Sequence, residues 1–316
     1  MSRSIVVGAN GFVGSELTAQ LVRSGNNPVR IQRSATMQDQ QNLRLQNNFI
    51  DLTCSDWRTL FQNAEVVYFV AGFAHAEVHD ESQLLINSET PAIAFKAANQ
   101  NSVRKFVWLS SIQVLGNASD QPLNTLMAPN PQNKYAASKL AGEVNLLAAA
   151  DSAGTELAIV RPPLVYGPGV KGNFLTLLAK VHRGGWLPLG SANATRSMVA
   201  VENLCDLMIH LAGYSAPRSD SGASRVWHVC DSDQVTIKSL VQSMKEAFDS
   251  RLHLIPVSAR VLEWGFRLAR QQNLIDRLLK NMEVDQSATC EQLNWQPPVG
   301  FSQALIRTVQ WYQQQA

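Results

Sequence analysis

Short apolar runs alternate with amphipathic stretches through the first half of the chain. The run SIVVGA (Ser4 to Ala9) is apolar enough for a buried strand, and GSELTAQLVRSG (Gly14 to Gly25) repeats its apolar positions at helical spacing up to a glycine. The same two patterns recur and predict further strands at 27–33, 64–72, 105–111 and 156–163, with helices at 89–101 and 134–151. Strands rich in Val, Ile and Phe that are separated by helices predict an α/β fold with a doubly wound parallel sheet.

The pattern changes after Pro162. VYGPGVKGNF (Val165 to Phe174) is rich in glycine and predicts a loop, whereas Arg225 to Cys230 returns to the strand pattern. Roughly the last 80 residues are mostly helical in pattern, with a break at Pro297 and Pro298. We therefore expect a sheet domain at 1–165 that the chain rejoins at about 198–235, and a smaller, mostly helical C-terminal lobe at 166–197 and 236–316.

Composition and charge exclude several classes of protein. The chain has 316 residues, of which 45% are hydrophobic, and a formal net charge of +2. A chain of this size buries a large core, and its near-neutral charge gives no reason to expect a nucleic-acid or acidic-membrane partner. The start runs directly into a strand, and no stretch approaches the roughly 18 apolar residues that span a bilayer. We expect a cytoplasmic protein without stable membrane insertion.

Cysteine and histidine spacing gives no sign of a metal site. The four cysteines lie far apart in sequence, which is typical of reduced, buried thiols (Cys54, Cys205, Cys230 and Cys290). His75 and His79 have i, i+4 spacing, but the Glu that follows the first His in metalloprotease helices is absent and no third ligand is evident. We therefore expect no bound metal.

A glycine-rich turn joins the first predicted strand to the first predicted helix. VVGANGFVG places Gly8, Gly11 and Gly14 at GxxGxxG spacing. Glycines allow a tight turn and a close approach of the backbone to a diphosphate, and the helix N-terminus supplies free N–H groups and the positive end of a dipole. The position of the turn after a strand and before a helix favours a dinucleotide site over a turn without a ligand.

The end of the second predicted strand bears on the choice of dinucleotide. An acidic residue there would bind the 2′-hydroxyl of NAD, but the sequence has Arg33 and Ser34. Arg33 can pair with a 2′-phosphate, which favours NADP over NAD, or it can stack on the adenine. Asp51, after a third short strand, is placed either to accept a hydrogen bond from the adenine amino group or to cap a helix.

A serine, a tyrosine and a lysine complete the candidate chemistry. Ser110 and Ser111 end a strand, and Tyr135 and Lys139 lie one helical turn apart in the next helix. A strand end and the following helix can face one cleft. The Lys139 ammonium would lower the pKa of Tyr135 from about 10, and the Ser111 hydroxyl would bind a reacting oxygen. This set suits hydride chemistry, in which a nicotinamide moves the hydride and Tyr135 moves the proton.

These motifs resemble those of the extended short-chain dehydrogenases/reductases, in the NAD(P)-dependent sugar epimerase/dehydratase family. The resemblance covers nearly the whole chain. Besides the glycines, Ser111 and the Tyr135–Lys139 pair, it rests on RPPLVYGPG (Arg161 to Gly169), TRSMVAVENLCDLM (Thr195 to Met208) and the closing segment WQPPVGFSQALIRTVQWY.

The resemblance implies an enzyme with a Rossmann domain and roles for particular residues. Lys139 would also bind the nicotinamide ribose, and the backbone near Pro162 would line the nicotinamide. Arg196 would bind the nucleotide diphosphate, and Asn173 would hold the nucleotide sugar. The catalytic set would be Ser111, Tyr135 and Lys139. The full set of predicted cofactor-binding residues is Gly8, Gly11, Phe12, Val13, Gly14, Arg33, Asp51, Leu52, Ala71, Tyr135, Lys139 and Pro162. The predicted substrate-binding residues are Ser111, Asn173 and Arg196.

Departures from the family pattern narrow the reaction. Leu115 stands where an aromatic residue is common, and Glu202 where Asp is common. The Thr-Asp/Glu-Glu triplet of 4,6-dehydratases is absent, because the sequence around the catalytic serine is Ser111-Ile112-Gln113. Without an acid and a base for water elimination, we do not expect dehydration.

Two reactions remain as the main hypotheses. RPPLVYGPGVKGNFLTLL and LSSIQV resemble bacterial polysaccharide 4-keto reductases and neighbouring 4-epimerases. The first hypothesis is NADP(H)-preferring reduction of a UDP-linked 4-keto acetamido-dideoxy sugar in O-antigen or capsule (lipopolysaccharide) synthesis. The second is 4-epimerisation of a UDP-hexose or UDP-N-acetylhexosamine. A regulator without turnover is disfavoured because Tyr135 and Lys139 are both present. A steroid or flavanol dehydrogenase is disfavoured because such ligands have no diphosphate for Arg196.

Two further expectations concern surfaces. The segment Ser258 to Met282 has Arg and Leu at helical spacing, which favours a lobe helix that packs its Leu face inward over one that docks on a membrane surface. Arg277 or Lys280 of this segment could reach the diphosphate. The resemblance also implies a homodimer through the long helices of the sheet domain.

Overall fold

The sheet is built around the first strand of the chain. The computed structural model describes residues 3–33, 47–50, 56–73, 82–151, 153–215, 225–268 and 270–315. The strands are β1 (Ser4–Val7), β2 (Val29–Arg33), β3 (Asn47–Ile50), β4 (Val66–Phe69), β5 (Lys105–Leu109), β6 (Glu156–Arg161), β7 (Leu164–Tyr166), β8 (Gly185–Leu187), β9 (Thr195–Arg196), β10 (Met198–Ala200), β11 (Val226–His228), β12 (Val235–Thr236) and β13 (Leu252–Leu254).

Seven of these strands form one parallel sheet, in the order β3-β2-β1-β4-β5-β6-β11. The chain leaves β1 on one side to form β2 and β3, and then returns to the other side of β1 to form β4. A reversal of this kind opens a crevice outside the carboxyl ends of the two strands that flank it, here β1 and β4. The doubly wound parallel sheet predicted from the sequence is confirmed.

Helices cover both faces of the sheet and build the rest of the chain. They are α1 (Phe12–Arg23), α2 (Trp57–Leu60), α3 (Ser82–Ser88), α4 (Thr90–Gln100), α5 (Lys134–Ala150), α6 (Gly172–Arg183), α7 (Val201–Gly213), α8 (Ile237–Phe248), α9 (Ala259–Leu268), α10 (Gln272–Leu279), α11 (Ser287–Leu293) and α12 (Phe301–Gln315). The prediction that the C-terminal residues are mostly helical is confirmed from α8 onward, and Pro297 and Pro298 lie between α11 and α12.

Two apolar clusters hold the helices against the sheet. Successive strand residues point to opposite faces, so Phe106 belongs to a cluster with α4 and α5, and Val107 to a cluster with α1 and α7. Both faces are therefore buried, which explains why the strands are continuously apolar in sequence. A third cluster joins α6, α8 and α12. This cluster supports the proposed lobe at 166–197 and 236–316, a division of the chain that stays a prediction.

A buried polar network ties this third cluster to the sheet. The Tyr166 hydroxyl donates to Asp231 Oδ2 at 2.7 Å, and Asn203 Nδ2 donates to Asp231 Oδ1 at 2.7 Å. Asn203 is fully buried and also bonds both backbone groups of Val299, just before α12. Because buried polar groups are costly without partners, these bonds fix how the last helix meets α7.

Several predictions fall on residues outside the described ranges. They concern Asp51, Leu52, Cys54, His75 and His79. Within the described residues, Cys205 and Cys230 are buried free thiols, and Cys290 is a partly buried one.

Helix α5 begins at a capped residue and packs closely against α3. The Asn133 side chain accepts a hydrogen bond from the Ala136 N–H at 2.8 Å, which satisfies a free donor of the first turn. In the middle of α5, Gly142 leaves no space for a side chain. A Cβ there would overlap the Asn87 carbonyl oxygen and lie 2.8 Å from the Trp108 ring. Gly142 therefore sets the distance between α5 and its neighbours.

We predict that Gly142→Ala lowers the free energy of unfolding by about 1–3 kcal/mol, because overpacking outweighs the better helix propensity of alanine. Gly265→Ala is the matched control, since no atom lies within 4 Å of its Cβ position in α9. This control should raise stability by up to ~1 kcal/mol. Urea unfolding followed by circular dichroism measures both effects, and equal shifts in the two variants would contradict the packing argument.

Candidate active site

The glycine turn after β1 forms a close cradle. Gly8 has φ 92°, and a Cβ there would lie 2.7 Å from the Ala71 nitrogen, in the segment after β4. A Cβ on Gly14 would overlap the Gly8 carbonyl oxygen. A side chain on Gly8 would therefore push apart the loops at the ends of β1 and β4, which are the two strands of the crevice, and one on Gly14 would push α1 away from the turn after β1.

The first helix points its N-terminus at this cradle. Gly11 is the N-cap of α1 and gives no side-chain hydrogen bond, and the Ser15 N–H bonds the Gly11 carbonyl at 2.9 Å. The N–H groups of Phe12, Val13 and Gly14 precede that bond and remain for an anion. The Phe12 ring packs against both the second and third apolar clusters. The donors and the missing side chains fit the diphosphate of a dinucleotide.

The residues predicted to bind adenosine are only partly described. Arg33 is the last residue of β2, next to Gln32 and at the same edge of the sheet as Gly8, but its side chain is not among those described. Asp51 and Leu52 lie outside the described residues. Ala71 is buried against Gly8.

Ser111 and Tyr135 come together at the carboxyl edge of the sheet. Ser111 follows β5, and its Oγ accepts from the Gln113 N–H at 3.2 Å, at the start of a short 3₁₀ helix (Ile112–Leu115). Asn133 Nδ2 donates to Gln113 Oε1 at 3.1 Å, which ties this turn to the start of α5. Tyr135, the second residue of α5, is half-buried and has Ser111 as a side-chain hydrogen-bond partner.

The pKa of Tyr135 differs from the value that the sequence led us to expect. Burial raises the pKa of the phenol above its ordinary value, because a phenolate is poorly solvated there, and the hydrogen bond with Ser111 opposes this shift. The net shift is upward, opposite to the lowering expected from Lys139, because burial outweighs the hydrogen bond with Ser111. The phenol therefore holds its proton firmly.

Lys139 is a buried cation. Its side chain is 4% exposed, its Nζ donates to the Leu109 carbonyl at 2.8 Å, and the Trp108 ring centroid lies 4.8 Å away. Burial lowers its pKa to about 7, and the negative charge of Glu143 opposes the shift. A Cβ on Gly72 would lie 3.1 Å from Nζ, so the glycine makes room for the ammonium beside the crevice.

Sequence reasoning missed an ion pair directly behind these residues. Arg161 Nη2 and Nε meet Glu143 Oε2 and Oε1 at 2.5 and 2.9 Å, and the Ser110 hydroxyl donates to Glu143 Oε1 at 2.5 Å. Glu143 is 1% exposed and Arg161 6%. The sequence alone indicates one half of this pair, because Glu143 follows Lys139 by four residues and therefore lies on the same helix face as Tyr135.

A second missed residue fastens the end of β4. Asn87 is fully buried, and its Nδ2 donates to the Phe73 carbonyl and to the Ser138 hydroxyl, both at 3.1 Å. Its Oδ1 accepts from the Phe73 N–H at 3.2 Å. An isolated Asn in a helix gives no sequence signal for this role. The three bonds hold the segment after β4 against α5, beside Lys139.

The predicted substrate residues lie in separate elements. Arg196, in β9, donates to the Asp276 carbonyl at 2.9 Å and to the Asn117 and Lys280 carbonyls at 3.3 Å. Its pKa is lowered to about 10, first by burial and then by the positive charge of Arg277. Two cations held near each other favour an anion.

Asn173 and Pro162 occupy different surroundings. Asn173 is exposed at the start of α6, and no hydrogen bond links it to the other predicted residues in the described part of the chain. The carbonyl of buried Pro162 accepts from the Ile112 N–H at 2.9 Å, so it lies next to Ser111.

Solved structures share this architecture. MoeE5 in complex with UDP-glucuronic acid and NAD superposes with a TM-score of 0.78 at 22% identity, over 100% of both chains. The UDP-N-acetylglucosamine 4-epimerase from Methanobrevibacter ruminantium M1, in complex with UDP-N-acetylmuramic acid, gives a TM-score of 0.78 at 20% identity, over 100% of this chain and 99% of that one. At such identity the likeness concerns the fold.

Similarity in sequence identifies the family of this chain as well as its fold. The UDP-glucose 4-epimerase of Vibrio cholerae is 30% identical over 323 residues, which cover 99% of this chain and 97% of the relative. The family model described as "NAD dependent epimerase/dehydratase family" matches residues 4–221. The resemblance stated from the motifs is confirmed, and the chain belongs to the NAD dependent epimerase/dehydratase family.

Proposed function

We propose that this protein reduces the 4-keto group of a UDP-linked acetamido-dideoxy sugar, with a nicotinamide cofactor as hydride donor. The observation that carries the proposal is the convergence of Ser111, Tyr135 and buried Lys139 at the carboxyl edge of the sheet, beside the glycine cradle. Such a convergence has no structural purpose of its own, because it buries a cation that the fold could replace with an apolar side chain.

Each residue has a distinct task in this reaction. A nicotinamide cofactor held at the glycine cradle would supply the hydride for C4 of the sugar. Ser111 donates a hydrogen bond to O4 and positions it, and Tyr135 delivers its phenolic proton to the same oxygen. Lys139, one helical turn from Tyr135, offsets the negative charge that the phenol acquires as it loses the proton. The Leu109 carbonyl and the Trp108 ring hold the Lys139 ammonium in place.

The direction of proton transfer is supported by the environment of Tyr135. An ordinary phenol, with a pKa of about 10, is protonated at neutral pH, and burial moves the pKa of Tyr135 further in the same direction. This is the form that a reductase needs before the hydride moves. An enzyme that begins by oxidising a sugar alcohol needs the ionised form first.

For the cofactor, we propose NADPH within this NAD-dependent family. Arg33 ends β2, where a 2′-phosphate would lie, and the strand end carries no carboxylate. Reduction consumes one cofactor per turnover, and a protein in the cytoplasm would draw on the NADPH pool for it. This expectation rests on the position of Arg33 in the chain.

For the substrate, we propose that Arg196 and Arg277 together hold the diphosphate of the nucleotide sugar. Burial and then the positive charge of Arg277 lower the pKa of Arg196, and a bound diphosphate would relieve the repulsion between the two cations. Asn173, exposed at the start of α6, would hold the nucleotide sugar from another side.

A second candidate is 4-epimerisation of a UDP-hexose or UDP-N-acetylhexosamine. The specific support is the UDP-glucose 4-epimerase of Vibrio cholerae, which matches this chain from end to end. Tyr135 would then first remove the O4 proton and later return it. Dehydration is not proposed, since Ser111-Ile112-Gln113 offers no acid and base at this turn.

Two incubations separate the candidates. We predict that the protein oxidises NADPH in the presence of a UDP-2-acetamido-2,6-dideoxy-4-hexulose, and that it leaves UDP-GlcNAc unchanged when no cofactor is added. Chromatography of the nucleotide sugars, together with NADPH fluorescence, reads both outcomes. Formation of UDP-GalNAc from UDP-GlcNAc would overturn the reductase proposal in favour of the epimerase.

Tyr135→Phe should lower either activity by about 10²–10⁴-fold.

The buried charge of Lys139 predicts a pH-dependent stability. The pKa of this lysine is about 7 in the folded protein against 10.5 for an unperturbed lysine. Between these values the unfolded chain binds a proton that the folded chain releases, so the folded state gains stability as pH rises from about 7 to about 10. At and below about pH 7 the full cost of burying the ammonium is present.

We predict that Lys139→Met raises the free energy of unfolding of the nucleotide-free protein by ~2 kcal/mol near pH 7, because it removes a buried charge at the loss of one hydrogen bond. The gain should shrink toward about pH 10. Chemical unfolding across this range measures it, with exposed Lys171→Met as the control that shows no such trend. A variant that is less stable than the wild type at every pH would contradict the prediction.

We also propose a homodimer through α4 and α5. A shallow groove runs between these helices, and Ala92, Ala148 and Ala149 line it, so that other helices can approach closely. Ile93 and Val144 are 52% and 57% exposed on the same surface. Glu89 and Lys96 also line the groove, and a two-fold axis across it would pair opposite charges.

Ile93→Glu should therefore shift the protein toward the monomer, because it places a charge in an apolar contact. Ile306→Glu on α12 is the matched control, since Ile306 is 47% exposed and lies away from this groove. Size-exclusion chromatography with light scattering distinguishes the two states. A monomeric wild-type protein would end the proposal.

A further inference from the structure

Helix α9 carries apolar side chains on two opposite faces. Leu262 and Phe266 pack against the third apolar cluster. Val261, Trp264 and Leu268 are 58%, 69% and 72% exposed on the other side. The expectation that the segment Ser258 to Met282 packs a Leu face inward accounts for Leu262 and Phe266, but not for these exposed side chains.

The exposed residues form one stripe along the helix axis. With about 100° of rotation per residue, Val261, Trp264 and Leu268 fall within an arc of about 60°. Trp264 lies about 180° from the midpoint of Leu262 and Phe266, and thus points directly away from the lobe. Single exposed apolar residues are ordinary on protein surfaces, whereas a contiguous stripe marks a surface that contacts something.

Arginines lie beside this stripe on α9 and in the turn directly after the helix. Arg260, Arg267 and Arg270 are all exposed, and only Arg267 has an ion-pair partner among the described residues, Glu263 at 2.5 Å. The segment Ser258 to Met282 contains five Lys or Arg and two Asp or Glu, a net charge of +3, while the whole chain has +2. The net charge of the whole chain is therefore nearly neutral although this segment is locally positive.

We propose that this stripe, Val261, Trp264 and Leu268 with Arg260 and Arg270, is a reversible docking site for the anionic surface of a lipid bilayer. Trp and Leu insert at the boundary between headgroups and acyl chains, and the arginines lie at the depth of the phosphates. The proposed contact is with the membrane surface. None of the helices in the described part of the chain has the length and apolar character of a membrane span.

A second copy of the chain fits this face less well. In a two-fold dimer the same patch meets itself, which would bring the arginines of both copies together. A ten-residue helix also offers far less than the roughly 800 Å² per partner of a stable interface. An anionic bilayer avoids both difficulties. Its headgroups attract the arginines instead of repelling them, and its apolar interior accepts the exposed side chains without the area that a protein partner needs. The inference does not depend on which sugar the enzyme acts on.

The test is sedimentation of the full-length protein with lipid vesicles. Vesicles of phosphatidylcholine mixed with phosphatidylglycerol should bind the protein, and vesicles of phosphatidylcholine alone should bind it much less. Trp264→Ser/Leu268→Ser should weaken binding to the mixed vesicles by about tenfold or more. Arg260→Gln/Arg270→Gln should weaken it by a similar factor and reduce its sensitivity to salt.

Matched controls separate docking from misfolding. Trp186→Ser removes a tryptophan of the same lobe that is 68% exposed, and Arg30→Gln/Arg58→Gln removes two exposed charges of the sheet domain. Both should bind vesicles as the wild type does. No binding of wild-type protein to the mixed vesicles would overturn the proposal. So would equal losses in test and control variants, or self-association that only Trp264→Ser/Leu268→Ser abolishes.

Discussion

The ion pair between Glu143 and Arg161 fixes the position of everything else in the site. Both charges are almost fully buried, and the Ser110 hydroxyl shares the carboxylate with the guanidinium. Separating such a pair costs about 3–5 kcal/mol, because each charge would remain buried alone. Helix α5 therefore cannot slide along the ends of β5 and β6. Tyr135 and Lys139 lie two turns and one turn before Glu143 on the same face, so this pair places them at the carboxyl edge of the sheet.

The strand order then brings this pair of residues to the cofactor cradle. Because β4 lies between β1 and β5, the segment after β4 borders both the glycine turn and Lys139. Ala71 packs on Gly8, Gly72 makes room for the Lys139 ammonium, and Asn87 holds Phe73 against α5. One three-residue segment thus sets the distance between the diphosphate end of the crevice and the acid/base pair. Neither the glycine motif nor the Tyr-Lys motif determines that distance by itself.

The sequence predicted what depends on local pattern and missed what depends on which elements meet. Apolar runs and helical periodicity are local, so the strands, helices and glycine turn followed from them. The partner of Glu143 is on a strand 18 residues further along the chain, and the acceptor for Lys139 Nζ is a backbone carbonyl. Sequence letters specify neither contact. The sign of the pKa shift at Tyr135 was mistaken for the same reason, because burial decides it and the charge of Lys139 was judged without burial.

The tasks proposed for Tyr135 and Lys139 also explain why the catalytic motifs alone do not identify the reaction. In both candidate reactions Ser111 would bind and Tyr135 would protonate the same oxygen, whether a ketosugar is reduced once or is regenerated within an epimerisation. What separates the two reactions is whether the cofactor leaves after each transfer. In the proposed site, release would depend on how tightly the β1–α1 turn and the end of β2 hold the cofactor, at the other end of the crevice from Tyr135. A tight cradle at Gly8 and Gly14 with Arg33 at the strand end is therefore where selection between reductase and epimerase would act, while Ser111, Tyr135 and Lys139 stay the same.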